Sequence, residues 1–162
     1  MTMTSNAPVG ARQTIDESYP AVPDSVARAR YSVARWLRAL SADELMSGDV
    51  GLAIAEACTN VVIHGFPRGA SGAFRIRADC LDGTVRVTVS DDGGGILPRS
   101  DSPGLGLGLP LMAAVTDRLE ITPGDGGTGT VVCMHFTAAG AHARLPVLSS
   151  RRSPAEGRRA RG

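Results

Sequence analysis

Apolar residues return every three or four positions along residues 24–40, where Val26, Ala29, Val33, Trp36, Leu37 and Leu40 share one stripe. That period predicts an amphipathic helix capped by Asp24 or Ser25, with Arg28, Arg35 and Arg38 mostly off the stripe. Ahead of it, the segment ARQTIDESYPA predicts an edge strand closed by Pro20 and Pro23. SADELMSGD reads as a turn, with Ser47 or Asp49 capping a second helix over about residues 49–64. This helix is apolar on nearly every face and stops at Gly65, a residue type suited to the position just past a helix end.

Downstream the period falls to two. Phe74, Ile76 and Ala78 alternate along residues 73–81, and Val85, Val87 and Val89 along residues 84–91, with Asp82 and Gly83 as a hairpin turn between them. The opposite face of both strands carries Arg75, Arg77, Arg86 and Thr88. A glycine-rich segment, a helix over about residues 109–119 and two strands within EITPGDGGTGTVVCMHF complete the order. Strand, two helices, hairpin, loop, helix and hairpin together predict an α+β fold. Its expected form is an α/β sandwich: a mixed, mostly antiparallel sheet of about five strands with helices on one face.

Three places break the pattern. In the second helix, Glu56, Asn60 and His64 are spaced four apart and line up in one stripe. An ionised glutamate without a partner is costly to bury, so the stripe faces water, a partner or a ligand. In VSDDGGGI, a strand runs into Asp91 and then into glycines that let a ligand approach the backbone, or that simply make a turn. In SPGLGLGLPLM, alternating glycines lead into a helix with Pro110 in its first turn, a place for an anion among free amides. The lysine and Ser/Thr of a Walker A loop are missing, and the parallel strand–loop–helix setting of a dinucleotide fingerprint is absent.

Composition narrows the classes. The charge is divided: residues 138–162 hold six arginines and one glutamate, a net +5, against 11 basic and 15 acidic groups elsewhere, a net −4. An acidic body argues against direct nucleic-acid binding, and the arginine-rich end reads as a flexible tail. All 17 basic residues are arginine, so a phosphate site relies on backbone amides, arginine or a metal. No apolar run approaches the roughly 20 residues of a membrane span, and the N-terminus lacks a signal-peptide layout, so a cytoplasmic protein without membrane contact is expected. Cys58, Cys80 and Cys133 lack metal-like spacing and read as reduced core thiols.

The three breaks, in this order, resemble the N, G1 and G2 boxes of the GHKL (Bergerat-fold) ATPases, and the small size resembles their anti-sigma factor serine kinase branch. The motifs are E-x-x-x-N followed by V-V-I-H-G, then D-x-G-x-G-I, then G-L-G-L-G-L-P-L-M. The resemblance divides the chain into a disordered 1–11, an ATP-binding kinase domain over 12–137 and the tail over 138–162. It implies that Glu56 is the general base and that Asn60 holds Mg²⁺ against the phosphates of ATP. It further implies that Asp91 reads the adenine amino group with Thr130, and that Gly93, Gly95 and Ile96 line the base. Gly104, Leu105, Gly106, Leu107 and Gly108 would wrap the phosphates, with His64 in a supporting role. ILPRSDSP, about eight residues long, would be a short lid, and Arg99, its only cation, could reach the phosphates. The implied partners are a sigma factor, a STAS-domain anti-anti-sigma protein and a second copy in a homodimer. Arg28, Arg35 and Arg38 are candidates for acidic partners or plain solvated charge. Two alternatives stand beside the kinase: a module that sequesters a partner with little or no transfer, and the catalytic domain of a histidine kinase, for which no preceding helix with a phosphoacceptor histidine is found.

Overall fold

The computed structural model describes residues 14–67, 69–95 and 108–137. Five strands, β1 (Thr14–Pro20), β2 (Ala73–Leu81), β3 (Thr84–Asp91), β4 (Arg118–Pro123) and β5 (Thr130–Thr137), form one sheet in the order β1-β2-β3-β5-β4. Every pairing is antiparallel, so the expected mixed sheet is wholly antiparallel. Among the described residues, three α-helices, α1 (Pro23–Ala39), α2 (Glu44–Asn60) and α3 (Gly108–Val115), accompany it.

The alternation seen in the sequence becomes the two faces of the sheet. Phe74, Ile76, Ala78, Val85, Val87, Val89, Val132, Met134 and Phe136 are buried and meet Ala29, Val33, Trp36 and Leu37 of α1 and Val50, Ala53, Ile54, Ala57 and Cys58 of α2. Each large side chain so buried contributes about 1.5–3 kcal/mol, which makes this single interior the main source of stability. The outer face is polar. There Asp16 takes both Arg75 (2.5 Å) and Arg77 (3.1 Å), and Asp79 takes Arg86 (2.6 Å), so each arginine of the row is paired across the strands.

Edge strand β1 is tied to the helical layer at one end. Tyr19 stacks on Phe74 with ring centroids 5.5 Å apart, and its hydroxyl donates to Glu17, which also accepts from Ser32 of α1 at 2.8 Å. Arg28 lies over the Tyr19 ring, 5.8 Å from its centre.

Several boundaries differ from the sequence expectation. α1 begins at Pro23 with Val22 as its cap and no side-chain capping bond, so neither Asp24 nor Ser25 is the cap. Proline's fixed φ starts the helix instead. Ser25 is buried within the first turn. α2 starts five residues earlier than expected, because the Asp43 carboxylate accepts from the Met46 N–H at 2.7 Å and caps it there. Ser47 and Asp49 therefore lie inside the helix. Packing of Met46 and Val50 outweighs the turn propensity of Ser47 and Gly48. α3 ends at Val115, short of Leu119, because Arg118 already pairs with His135 in the sheet and Thr116 Oγ1 donates to the Met112 carbonyl at 2.9 Å.

α2 runs on into one π-helical turn, Val61–Gly65. Together these 22 residues, Glu44–Gly65, are long and apolar enough in composition to match a membrane span, contrary to the expectation that nothing in the chain approaches one. Their apolar character is that of a central core helix: Met46, Val50, Ala53, Ile54, Ala57, Cys58 and Val61 are all buried against the sheet and its neighbours. The three cysteines are free. Cys58 is a core thiol, pushed up to about 12 by burial. Cys133 is not in the core: it alternates with buried Val132 and Met134 and so lies on the outer face, half-buried.

Candidate functional site

The C-terminal half of α2, the end of β3 and the start of α3 converge. Gly108 opens α3, and a Cβ placed on it would stand 3.1 Å from Glu56 Oε2 and 3.6 Å from both side-chain atoms Oδ1 and Nδ2 of Asn60. The polar groups at positions 56 and 60, one helical turn apart and both half-buried, thus aim at the first residue of another helix. The leading N–H groups of a helix have no intrahelical acceptor, and its dipole is positive there. A carboxylate and an amide oxygen beside such an end form a place where an anion and a hard cation can meet.

A second group is built around Asp91. The π turn brings Gly65 against the β3 exit, where the Gly65 carbonyl accepts from Gly94 N–H at 2.8 Å. Gly93 has to be glycine, since a Cβ would fall 1.9 Å from the Gly65 carbonyl oxygen. The Gly93 carbonyl accepts from Gly129 N–H at 2.7 Å. Gly129, with φ +71°, passes so close to the Asp91 carbonyl that a Cβ would lie 1.9 Å from its oxygen. Asp91 pairs with Thr130 in the sheet, and Thr130 is buried.

Asp91 Oδ1 accepts from Gly93 N–H at 2.9 Å. Burial pushes the Asp91 carboxyl above the ordinary aspartate range. The Gly93 amide works against that shift, the neighbouring Asp92 charge adds to it, and the Thr130 amide again opposes it. A half-buried carboxylate with one oxygen held by its own backbone is an oriented acceptor for a ligand N–H.

The structure therefore brings Glu56, Asn60 and Gly108 together, and separately Asp91, Gly93, Gly95 and Thr130; Gly95 lies across from the Gly129 carbonyl, 3.3 Å from where its Cβ would be. His64 lies in the π turn Val61–Gly65 with its side chain exposed, whereas Glu56 and Asn60 are half-buried. Ile96, Arg99, Gly104, Leu105, Gly106 and Leu107 lie outside the described residues, as do the tail over 138–162 and the N-terminal segment. Gly65 and Gly129 are structural members of the site that the sequence reading did not assign. Gly65 carries a signal in VVIHG only as a helix stop, and Gly129 sits inconspicuously in a run of glycines.

A helix bearing paired Glu and Asn, a strand ending in a glycine-flanked aspartate and a glycine-opened helix thus share one antiparallel sheet. The chain belongs to the histidine kinase-like ATPase domain family, which residues 19–136 match. Among characterised relatives, it is similar to an anti-sigma F factor of Clostridium beijerinckii, 32% identical over 127 residues that cover 70% of this chain and 87% of that protein. It is also similar to the blue-light-activated histidine kinase 2 of Erythrobacter litoralis, 39% identical over 90 residues covering 53% of this chain and 26% of that protein. Of solved structures, a Mycobacterium tuberculosis chain with RsbU and RsbW domains superposes with a TM-score of 0.62 at 25% identity, over 77% of this chain and 32% of that one. The chain thus spans about a quarter of the histidine kinase and a third of the mycobacterial chain, but most of the anti-sigma F factor. Membership in this ATPase family implies ATP binding.

Proposed function

We propose that this protein is an anti-sigma factor with serine kinase activity: it binds ATP with Mg²⁺, sequesters a sigma factor and phosphorylates a serine on a STAS-domain anti-anti-sigma protein. The observation that carries the reading is the convergence of Glu56 and Asn60 on Gly108, beside the half-buried Asp91 carboxylate held by the Gly93 amide. The likeness to anti-sigma F factors over most of their length supports the regulatory role.

The donors present suit the proposed ligands. The Asn60 amide oxygen is a neutral, hard ligand fit for a small cation that keeps most of its waters. Mg²⁺, when bound, would supply positive charge to offset that of the phosphates. Glu56 Oε2 stands beside the same spot and would accept the proton of the attacking serine hydroxyl as general base. The open amides at the start of α3 would hold phosphate oxygens. Asp91 would accept a hydrogen bond from the adenine amino group, with Thr130 beside it. Most of the catalysis would come from positioning, since phosphoryl transfer asks little covalent chemistry of the protein. Action as a cytoplasmic homodimer belongs to the same proposal.

The test is incubation of the pure protein with labelled ATP, Mg²⁺ and STAS-domain proteins from the same genome. Labelled phosphoserine that disappears in Glu56→Gln while nucleotide still binds is the expected result. Capture of a sigma factor with no transfer to any STAS protein would instead make the chain a sequestering module. Absence of nucleotide binding at millimolar ATP would overturn the reading.

A further inference from the structure

On the outer face of the sheet, away from the nucleotide cleft, strands β4 and β5 place three metal-ligating side chains together. Glu120 stands directly opposite Cys133 in the register, and His135 follows on the same face two residues along β5. One ligand atom from each, a carboxylate oxygen, Sγ and a ring nitrogen, lies within 4.8 Å of the other two. Cys133 Sγ and His135 Nε2 are 3.5 Å apart. Around a tetrahedral zinc ion with bonds of about 2.0–2.3 Å, ligand atoms sit roughly 3.3–3.8 Å from each other, so this pair already has the required separation. We propose that Glu120, Cys133 and His135 form a site for a thiophilic divalent cation of the zinc class, with three protein ligands and a fourth, exchangeable position.

Chemistry and setting both favour that ion. Thiolate, imidazole and carboxylate together suit Zn²⁺, whereas Mg²⁺ and Ca²⁺ take oxygen donors. Thiolate and carboxylate balance the charge of a dication. Arg118 donates to Glu120 Oε1 at 2.5 Å, which leaves Oε2 for the metal and makes the arginine an orienting neighbour of the ligand. Thr88 Oγ1, 3.8 Å from Cys133 Sγ, supports the sulfur from the far side. The ladder β3-β5-β4 fixes all of these positions before any ion arrives. Cys133 and His135 are half-buried and Glu120 is exposed, so the site is open to solvent through its carboxylate side. A bound ion would pin edge strand β4 to β5, since its ligands come from both.

The inference is independent of the kinase reading, because the cluster lies on the opposite sheet face from the cleft. Its test is titration of the nucleotide- and Mg²⁺-free full chain, kept reduced with a thiol-free phosphine, with Co²⁺ and then Zn²⁺. Stoichiometric Co²⁺ is expected to give an intense thiolate-to-metal charge-transfer band with tetrahedral visible bands, both removed by Zn²⁺. Cys133→Ser and Cys133→Ala should abolish the charge-transfer band, and Cys80→Ser should keep it. His135→Gln should weaken affinity by roughly 10–100-fold or more, with Glu120→Gln nearer the lower figure. Zn²⁺ at 100 times its Kd should raise the melting temperature of the wild type by about 5–10 °C and leave Cys133→Ser unmoved. No charge-transfer band in the wild type, a band that survives Cys133→Ser, or Co²⁺ affinity undiminished in His135→Gln, each in a protein with unchanged circular dichroism, would overturn the site.

Discussion

At the Asp91 end of the cleft, backbone holds backbone: Gly94 N–H reaches the Gly65 carbonyl at 2.8 Å, and Gly129 N–H reaches the Gly93 carbonyl at 2.7 Å. At the Glu56 end, two side chains from one helix meet the first residue of another. The first end is a matter of shape, set by three chain segments passing closer than any side chain permits. The second is a matter of chemistry, set by which functional groups a rigid helix presents. Damage to the first should therefore show up as lost folding, and damage to the second as lost function in an intact fold.

The largest effect is expected at Gly93. Alanine there must displace the Gly65 carbonyl, and Gly93→Ala should cost about 3 kcal/mol, lowering the melting temperature by roughly 6–12 °C and removing ATP binding. An alanine variant that melts with the wild type would erase the contrast between the two ends. Asn60→Ala should behave in the opposite way. Its melting temperature stays within a few degrees, while Mg²⁺-dependent ATP affinity falls by roughly 10–150-fold, the about 1.5–3 kcal/mol of a lost charge-assisted contact. Titration calorimetry with and without Mg²⁺ measures both halves.

Asp91 gives a pH signature that links the two criteria. Burial raises its pKa above 3.8, so its carboxylate is lost at a higher pH than an ordinary aspartate's. ATP affinity should therefore decline as pH falls toward that raised value, because a protonated carboxyl no longer accepts in the same way. Stability responds with the opposite sign. For a raised pKa, this group's contribution to the ligand-free fold is full below 3.8 and is lost as pH rises through the folded value. The difference between wild type and Asp91→Asn, followed by urea melts and by ATP titration over about pH 4 to 6, should trend oppositely in the two measurements. The smallest effect belongs to His64. Because this side chain is exposed, His64→Ala should change stability by less than about 0.5 kcal/mol and leave ATP affinity unchanged within twofold.

These contrasts also explain what was legible from the sequence. The strands at 73–81 and 84–91 could be read to the residue, because one buried face enforces strict alternation. The start of α2 could not, since Asp43 caps through a local bond that competes with equally plausible caps at Ser47 and Asp49. Glu56 and Asn60 stood out as polar interruptions in a helix apolar all round. His64 shares their spacing, but its exposure and the π turn that holds it are invisible to spacing. Gly65 and Gly129 owe their roles to contacts between segments far apart in the chain, which no local pattern records. The Glu120–Cys133–His135 cluster is hidden for the same reason: one of its three members lies on a neighbouring strand, so the cysteines show no metal-like spacing.

The most direct test of a cleft with two distinct ends compares Glu56→Gln and Asp91→Asn in one assay, reading the Kd for ATP·Mg²⁺ and the single-turnover rate of phosphoryl transfer to the STAS-domain substrate. The account predicts a crossed result. Glu56→Gln keeps its Kd within a few-fold and loses transfer by roughly 10²–10⁴-fold. Asp91→Asn loses about 10-fold or more in Kd, yet transfers at close to the wild-type rate once saturated. Equal losses in both quantities for both variants, or undiminished transfer by Glu56→Gln, would contradict it.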